Sequence, residues 1–189
     1  MNKSQIRKKI LKLRKKNNYK NLEIDFRNIL QILKKEKING KTLGGYYPYN
    51  YEADGIKILK KFEKLDYLIT LPKIKNNSQM DFFCWKTKDP LTINKYGIPE
   101  PTSNKIKYPD ILLVPIVAFD INSNRVGYGG GYYDRYIQKN KKSKKILTIG
   151  LAYSFQKVKK IIINKHDSKL DFIVTEKRKW NENIIPWRC

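Results

Sequence analysis

Five short apolar runs constrain the fold of this chain more than any other feature. The clearest is DILLVP, because an uninterrupted run of this length is typical of a strand covered on both faces. Segments with the apolar spacing of helices separate these runs, and that alternation predicts an α/β fold with a largely parallel sheet. The predicted strands lie at 67–72, 80–85, 110–115, 145–153 and 171–176.

Four helices are predicted before or between the strands. Ser4 is expected to cap the first helix, and the second extends over residues 22–37. The other two cover residues 52–64 and about 132–139. Because no long linker interrupts this pattern, residues 1–189 are expected to form a single domain.

Glycine, proline and turn residues predict where these elements end. Gly40 is expected to end the second helix, and Pro72 is expected to stop the strand that contains it, since proline lacks an N–H donor. The turn-rich segment 90–101 is expected to lie on the surface. The segment 158–168 is ambiguous between a helix and a strand.

The chain is strongly basic, with 41 Lys and Arg residues against 17 Asp and Glu residues and a formal net charge of +24. Only seven of the cations are arginines, and lysine occurs in nearly every segment. A nucleic-acid-binding protein more often concentrates its charge and uses arginine for bidentate contacts. We therefore expect a solvated lysine-rich surface that favours anionic ligands and no specific nucleic-acid partner; nucleic-acid binding remains the alternative.

Targeting and redox features are sparse. Cys84 and Cys189 are too few for a disulfide framework or a metal cage, and Cys84 is expected to be a buried, inert thiol. Charges interrupt the first 16 residues too often for a signal peptide, although a membrane-surface helix or a transit segment would suit their basic, amphipathic pattern. No apolar run approaches 18 residues, so no membrane partner and a cytoplasmic location are expected.

The segment most informative about chemistry is the glycine-rich stretch at 127–131, which holds four glycines. Glycines let successive backbone amides line an anion-binding concavity, and the following helix would point its positive end at a phosphate. Arg125 supplies a fork suited to phosphate oxygens, and Asp134 can hold a hydrated Mg²⁺ that bridges phosphates. A glycine-rich turn followed by an acidic helix start would explain the same residues without a ligand.

This stretch matches neither of two common nucleotide motifs. No Gly-Lys-Ser/Thr sequence closes it as in a Walker A loop, and Tyr132 stands where a GxGxxG fingerprint has its last glycine. A bound nucleotide is thus predicted from the physical properties of the loop.

The sequence RVGYGGGYYDR at 125–135, preceded by DILLVPIVAFD, resembles the signature of the 5-formyltetrahydrofolate cyclo-ligases, also called methenyltetrahydrofolate synthetases. The resemblance continues, in the family's order, through KSQIR, YYPYNYEAD, LPKI, MDFFCW, GIPEP and HDSKLDFIVTE. It implies an α/β/α three-layer sandwich and an ATP- and Mg²⁺-dependent conversion of 5-formyltetrahydrofolate to 5,10-methenyltetrahydrofolate with release of ADP and phosphate. The mechanism it implies begins with attack of the formyl oxygen on the γ-phosphate, followed by attack of N10 on the formyl carbon and loss of phosphate. The protein is expected to be a monomer.

The resemblance also implies the residues that bind ATP and the metal. Lys3 and Arg7 stand four residues apart, so on a helix they share one face, as a clamp for phosphates requires. Without the resemblance, two solvated cations would explain the same pair. Asp134 and Asp167 are implied as metal ligands, although a helix cap would explain Asp167 equally well. The implied ATP loop comprises Arg125, Gly127, Tyr128, Gly129, Gly130, Gly131, Tyr132 and Tyr133.

Four residues are implied to bind the folate. Glu52 would accept paired N–H donors from the pterin edge, and Tyr47 matches a second substrate position. Met80 and Trp85 offer an apolar wall and a stacking face, with core packing as their alternative role. His166, the only histidine, is expected to be structural, and no catalytic nucleophile is predicted.

Three positions depart from the family pattern and bear on loop rigidity. Ile116 and Ser123 replace glycines, and Gly55 replaces a threonine. Asn122 and Asn124, which tolerate left-handed backbone, are expected to rescue the turn at Ser123. A relative with the same fold and a different substrate therefore remains a second alternative.

Overall fold

The computed structural model describes residues 1–16, 22–75, 79–141, 145–177 and 179–180. The described α-helices are α1 (Lys3–Lys16), α2 (Phe26–Lys35), α3 (Gly55–Glu63) and α4 (Tyr132–Lys141). The described strands are β1 (Thr42–Gly44), β2 (Leu68–Ile74), β3 (Met80–Cys84), β4 (Leu91–Ile93), β5 (Pro99–Pro101), β6 (Ile111–Pro115), β7 (Ala118–Phe119), β8 (Arg125–Val126), β9 (Leu147–Leu151), β10 (Phe172–Val174) and β11 (Lys179–Trp180).

Seven of the strands form one sheet in the order β11-β10-β9-β6-β1-β2-β3. The five inner strands, from β10 to β2, are parallel to one another, and both edge strands are antiparallel to their neighbours. Two hairpins, β4–β5 and β7–β8, lie outside this sheet. The predicted α/β class with a largely parallel sheet is thus confirmed.

Helices cover both faces of the sheet. Strand β6 is apolar throughout because its side chains are buried on both faces. Ile111 and Leu113 belong to a core cluster with the buried sides of α2 and α3. Leu112 and Val114 point to the other face, where they join a cluster that includes Tyr136 of α4. Burying one such leucine contributes about 2 kcal/mol, so both helix layers are held by this strand. The three-layer arrangement that the resemblance implied is therefore present.

Helix α1 packs against the β7–β8 hairpin rather than against the central sheet. Its Ile6 and Ile10 are buried in a third cluster with Val117, Ala118 and Val126. The apolar face that left a membrane-surface helix open is therefore occupied within the fold. Among the described residues, no helix is long and apolar enough to cross a membrane.

The helix ends differ in detail from the sequence predictions. Asn2, not Ser4, caps α1: its side chain accepts the amide N–H of Gln5 at 2.9 Å, and the Gln5 side chain accepts the Asn2 amide in return. This reciprocal pair satisfies two free amides at the helix start, which a cap at Ser4 would not allow. Helix α2 starts later than predicted, after Asp25, whose carboxylate accepts the Arg27 amide.

Gly40 does not end α2, contrary to the prediction. Lys37 takes the left-handed backbone conformation (φ 51°), and the following Ile38 amide donates to the Leu33 carbonyl. Gly40 is instead needed for close approach, since a Cβ there would lie 2.2 Å from the Asp110 side chain. The glycine reflects contact with a neighbouring strand end and not helix termination.

Pro72 does not stop β2, which continues to Ile74. Pairing with β1 ends at Thr70, so beyond that point β2 has only β3 as a partner. A proline is tolerated there because one side of the strand needs no donor. The turn-rich segment contains the exposed β4–β5 hairpin, and residues 158–168 form neither helix nor strand.

Neighbouring residues accommodate two of the three positions that depart from the family pattern, Ser123 and Ile116. Ser123 itself takes the left-handed conformation (φ 59°), so the expected rescue by its asparagine neighbours was wrong in detail. The buried Asp120 carboxylate holds this turn by accepting the backbone amides of Asn122 and Asn124. Ile116 is buried against Gly150. A Cβ added at Gly150 would lie 2.6 Å from the Ile116 side chain, so this glycine makes room for the isoleucine.

The remaining sequence expectations concern Gly55 and the two cysteines. Gly55 is the first residue of α3, and a Cβ there would lie 3.3 Å from the Tyr46 ring, which is tight for a threonine. Cys84 is half-buried rather than buried. Cys189 lies outside the described residues.

Candidate active site

A cavity of about 910 Å³ opens where the parallel strands β1, β2 and β6 end. Ligands of open α/β sheets bind at this edge, because loops from neighbouring strands converge there. Every residue predicted to bind ATP, folate or metal lines this cavity except Trp85. We call its wall around the glycine-rich stretch the loop side, comprising Lys3, Arg7, Arg125, Gly127, Gly129, Gly130, Gly131, Asp134 and Asp167, and its wall at Tyr46, Tyr47, Tyr49 and Glu52 the Glu52 side.

Helix α1 presents its two predicted cations to the loop side. Lys3 forms an ion pair with Asp167, and both side chains are about a quarter exposed. The Arg7 guanidinium donates from Nε to the Gly127 carbonyl at 2.8 Å. Because Lys3 and Arg7 lie one helical turn apart, α1 contacts the loop side at two points, Asp167 and Gly127.

The buried Arg125 forms an ion pair with the half-buried Asp134 beneath the loop. Arg125 is 9% exposed, and its Nη2 lies 2.6 Å from Asp134 Oδ1. The Ser168 amide donates to the same carboxylate oxygen at 3.0 Å, while Arg125 also donates to the Ser168 carbonyl. Burial lowers the pKa of Arg125, and the charge of Asp134 opposes that shift. This pair fixes the start of α4 against the segment that carries Asp167.

The two carboxylates at this point suit a hydrated hard cation. Burial favours the neutral form of Asp167, but hydrogen bonds from Lys3 and the Asn164 amide hold its pKa below the ordinary value, so it is ionised at neutral pH. Within the described residues no three His, Cys, Asp or Glu side chains converge as a metal cage. A cation here would need oxygens from phosphate or water, which is the usual ligand set of Mg²⁺.

Positive backbone angles in the glycine-rich stretch explain two of its glycines. Gly129 and Gly131 have φ values of 107° and 67°, which side chains on Cβ disfavour. A Cβ at Gly131 would also lie 2.7 Å from the guanidinium of Arg135, a residue that donates to the Gly130 carbonyl. The stretch therefore keeps its shape through backbone freedom and an arginine that follows it.

Glu52 is the one strongly perturbed acid of the cavity. It is 8% exposed, and its Oε2 accepts the Tyr49 amide at 2.9 Å. Burial raises its pKa to about 7, although the Tyr49 hydrogen bond and the positive charge of Arg14 act in the opposite direction. Glu52 lies in the turn before α3, which begins only at Gly55 after its cap Asp54. A carboxylate so desolvated gains from any ligand that offers it N–H donors.

The other predicted folate residues divide between cavity and core. Tyr47 and Met80 both line the cavity, and Met80 also packs in the core cluster beneath α4. Trp85 does not reach the cavity: it is 4% exposed, lies in the cluster of α2 and α3, and donates from its indole N–H to the Asp89 carbonyl at 3.3 Å. Its predicted role as a stacking face has no geometric support, because the indole packs within the hydrophobic core.

The aromatic residues that follow the loop have identifiable partners. The Tyr132 hydroxyl lies 3.1 Å from that of Tyr96 on the β4–β5 connection, and Arg135 lies against the Tyr132 ring at 5.2 Å. Burial raises the pKa of Tyr133, which lines the cavity. His166, expected to be structural, lines the cavity as well, and its carbonyl accepts a hydrogen bond from Gln138.

Several residues near the cavity were not predicted from the sequence. Arg14 is 1% exposed and donates to the Ile116 carbonyl and to the Tyr128 hydroxyl, the latter at 3.1 Å. Its position eleven residues after Lys3, about three helical turns, was a signal that it shares the face of that residue. Arg135, in the first turn of α4, was similarly marked by its place directly after Asp134. Tyr49 and Tyr96 carried no such signal, because only the tertiary fold brings their loops to the cavity.

Comparison with known proteins identifies the family of this chain. The model of the 5-formyltetrahydrofolate cyclo-ligase family matches residues 1–176. The chain belongs to the 5-formyltetrahydrofolate cyclo-ligase family. The resemblance described from the sequence is thereby confirmed, and the chain is an enzyme of the ligase class.

Individual relatives agree with this assignment. A 5-formyltetrahydrofolate cyclo-ligase of Haemophilus influenzae is 30% identical over 67% of this chain and 71% of its own length. One of Escherichia coli K12 is 27% identical over 74% and 80%, respectively. These names give the nucleic-acid alternative no support.

Solved structures of two methenyltetrahydrofolate synthetases have the same fold. The Aquifex aeolicus protein superposes with a TM-score of 0.77 at 28% identity, over 100% of this chain and 97% of that protein. The Mycoplasma pneumoniae protein superposes with a TM-score of 0.71 at 26% identity, over 93% of this chain and 99% of that one. The family fold thus extends over nearly the whole sequence.

Proposed function

We propose that this cyclo-ligase converts 5-formyltetrahydrofolate to 5,10-methenyltetrahydrofolate while ATP is cleaved to ADP and phosphate. The observation that carries the proposal is one cavity with two unlike walls, a cationic glycine-rich loop and a buried carboxylate. Phosphates fit the first wall, and the N–H donors of an aminopyrimidine ring fit the second. Both substrates are then close enough to react with each other.

The loop side is proposed to hold the ATP phosphates. The amides of the glycine-rich stretch and the start of α4 supply N–H donors and positive potential. Lys3 and Arg7 add charge from α1, and Arg125 adds charge from below the loop. Because these groups are already fixed by hydrogen bonds, little reorganisation is needed when charge develops on the transferred phosphoryl group.

Asp134 and Asp167 are proposed to hold Mg²⁺ through their carboxylate oxygens. The metal would neutralise phosphate charge when it is bound. The hydrogen bonds described for Asp134 involve Oδ1, and those described for the Asp167 side chain involve Oδ2. The ion pairs with Arg125 and Lys3 hold the Asp134 and Asp167 side chains in place at the wall of the cavity.

The Glu52 side is proposed to hold the pterin. Glu52 accepts N–H donors of the ring, while Tyr47 and Met80 supply the neighbouring walls. Placement of the ring on this side directs the formyl group towards the phosphates on the loop side. The chain then contributes position and charge neutralisation, and no side chain is needed as a nucleophile.

The direct test is a measurement of methenyl product by its absorbance with purified protein, Mg²⁺ and 5-formyltetrahydrofolate, with and without ATP. We expect product only when ATP is present. A folded protein that forms no ATP-dependent product would refute the proposal. Other reduced folates, offered in the same assay, separate this activity from that of a relative with a different substrate.

The domain organisation, oligomeric state and location of the protein are also part of this proposal. Residues 1–189 are proposed to act as one domain and as a monomer in the cytoplasm. Size-exclusion chromatography with light scattering tests the monomer, with a mass near 22.4 kDa expected. A stable dimer would overturn that expectation without affecting the proposed reaction.

A further inference from the structure

Tyr128 belongs to the glycine-rich loop, but its side chain contacts the Glu52 side of the cavity and helix α1. Its hydroxyl accepts a hydrogen bond from Arg14 at 3.1 Å and donates to the Tyr49 carbonyl at 3.4 Å. Its ring also meets the Tyr49 ring edge-on, with centroids 5.9 Å apart and planes at 60°. The Asn50 side chain hydrogen-bonds to the same phenol. The only loop residue here with a long side chain between the glycines therefore reaches the turn that carries Glu52.

The turn it reaches is short and conformationally strained. Asn50 and Tyr51 both have left-handed backbone, with φ values of 49° and 61°. Asparagine tolerates this conformation, but a tyrosine there costs about 1 kcal/mol or more. The Tyr49 amide donates to Glu52 Oε2, so the position of Tyr49 fixes the position of the carboxylate. A strained turn keeps one geometry only when contacts such as these hold it.

Arg14 fixes the far end of this connection. Its guanidinium is fully buried at the end of α1 and donates to the Ile116 carbonyl as well as to the Tyr128 hydroxyl. Among the described residues its Nε has no hydrogen-bond partner. The charge of Arg14 also favours the ionised form of Glu52. A single immobile cation therefore acts on both the loop and the carboxylate.

We propose that Tyr128, fixed by Arg14, is a positioning residue that couples the two substrate sites, so that ATP and 5-formyltetrahydrofolate each strengthen the binding of the other. The proposal rests on the proposed function. The 3.4 Å contact with Tyr49 is long for an O–H···O bond. We expect it to shorten when both ligands are bound. A ligand that orders one wall thereby also orders the other wall through Tyr128. The second ligand then binds more tightly, which is positive coupling.

Calorimetry on the intact chain tests the coupling. The dissociation constant of 5-formyltetrahydrofolate is measured with and without a saturating non-hydrolysable ATP analogue and Mg²⁺, and the reverse titration is then made. For the wild-type protein we expect each ligand to tighten the other about tenfold, by the same factor in both directions. Tyr128→Phe keeps the ring and the backbone but removes every hydrogen bond of the hydroxyl, so this factor is expected to fall to about twofold or less.

A matched control and a second variant keep the test decisive. Tyr51→Phe removes a phenol hydroxyl from the same turn, on a side chain that is 58% exposed, and is expected to retain the full coupling. Arg14→Lys, which keeps the charge but loses the fork to Tyr128 and Ile116, is expected to lower the coupling as Tyr128→Phe does. The coupling factor is a ratio, so general loosening of one site does not by itself change it.

The outcomes separate this inference from the proposed function. Wild-type protein that binds both ligands independently, or Tyr128→Phe protein with undiminished coupling, overturns the inference and leaves the reaction standing. Equal loss of coupling in Tyr51→Phe also overturns it, because the effect would then not be specific to the hydroxyl of Tyr128. Wild-type protein that binds neither ligand refutes the proposed function and the inference with it.

Discussion

On the loop side of the cavity each acid is paired with a cation, whereas on the Glu52 side the buried acid has no ion-pair partner among the described residues. Asp134 pairs with Arg125 and Asp167 pairs with Lys3. Glu52 instead has one backbone hydrogen bond and a pKa raised to about 7 by burial. The loop side is thus built to keep its charges fixed, and the Glu52 side is built so that its charge is stabilised by a ligand.

This difference explains how one cavity can discriminate between two anionic substrates. A triphosphate brings several negative charges and gains most where cations and amides are already fixed. It is repelled by a lone carboxylate, which favours a neutral ring with N–H donors. Each substrate is therefore excluded from the wrong wall by charge. At Glu52 the buried charge that excludes the triphosphate has a cost in stability.

The largest effect is expected from Asp134→Asn, which removes a negative charge from the loop side. Turnover with Mg²⁺ and ATP should fall about 1,000-fold, because the proposed metal loses a charged ligand. Stability should fall by about 2 kcal/mol, since Arg125 keeps an amide oxygen but loses its counter-charge. Steady-state kinetics and urea unfolding measure the two effects separately.

A carboxylate outside the cavity provides the control for that variant. Asp81 pairs with Lys75 at 2.7 Å and is 16% exposed, so Asp81→Asn also breaks an ion pair. We expect its turnover to remain within about twofold of wild type, because Asp81 does not line the cavity. Equal losses in the two variants would contradict the special role of the loop side.

Glu52→Gln is expected to weaken folate binding about 100-fold and to leave ATP binding within about threefold, because charge-assisted hydrogen bonds to the ring are lost only on the Glu52 side. The same variant should be about 3 kcal/mol more stable at pH 8, where the wild-type protein keeps a buried charge. Calorimetry and urea unfolding at pH 8 test both statements. Weaker binding of both ligands with reduced stability would show that Glu52 is only structural.

A smaller effect is expected from pH, with opposite signs for binding and stability. Glu52 ionises at about pH 7 in the folded protein and at its ordinary value of 4.5 in the unfolded chain. As pH rises from 6 to 8, the ionised fraction of Glu52 rises about tenfold, and the KM for 5-formyltetrahydrofolate should fall by about the same factor. The folded state retains the proton longer than the unfolded chain does, so the Glu52 contribution to stability is lost between pH 4.5 and 7.

The Glu52→Gln variant is the control for this pH dependence, since its side chain does not titrate in this range. Its KM, though higher, should be nearly constant between pH 6 and 8. A pH dependence equal to that of wild type would assign the titration to another group or to the substrate.

The smallest effect on folate binding is expected from Trp85→Phe. Trp85 packs in the core away from the cavity, so the KM for the folate should change less than about twofold, while stability falls by about 1–2 kcal/mol. Met80→Ala, in contrast, removes a cavity wall and should raise that KM about tenfold. A KM that rises equally in both variants would restore the predicted stacking role of Trp85.

The loop side was largely predictable from the sequence because its residues are adjacent in the chain. Arg125, the glycines at 127–131 and Asp134 follow one buried strand and open one helix, so local rules place them together. Lys3 and Arg7 were recognised as a pair from helical spacing, and only the fold could show that they reach the same loop. Of the two ion pairs, only Lys3–Asp167 was beyond local rules, since it joins segments distant in sequence, whereas Arg125 and Asp134 are nine residues apart.

The Glu52 side was less predictable because it depends on tertiary packing. Glu52 and Tyr47 were identified through the family resemblance, but the burial that raises the pKa of Glu52 arises from elements elsewhere in the chain. Met80 and Trp85 belong to the same predicted strand segment and carry similar apolar character, yet only the first faces the cavity. Alternation along a strand left the two faces equivalent until the positions of the helices were known.

If ATP and 5-formyltetrahydrofolate react with each other in this one cavity, phosphate release and methenyl formation are coupled, and both products can be measured in the same reaction. We predict one phosphate for each methenyl product formed, with neither appearing when ATP or the folate is omitted. Phosphate released at the same rate without the folate, or methenyl product formed without ATP, would contradict the claim.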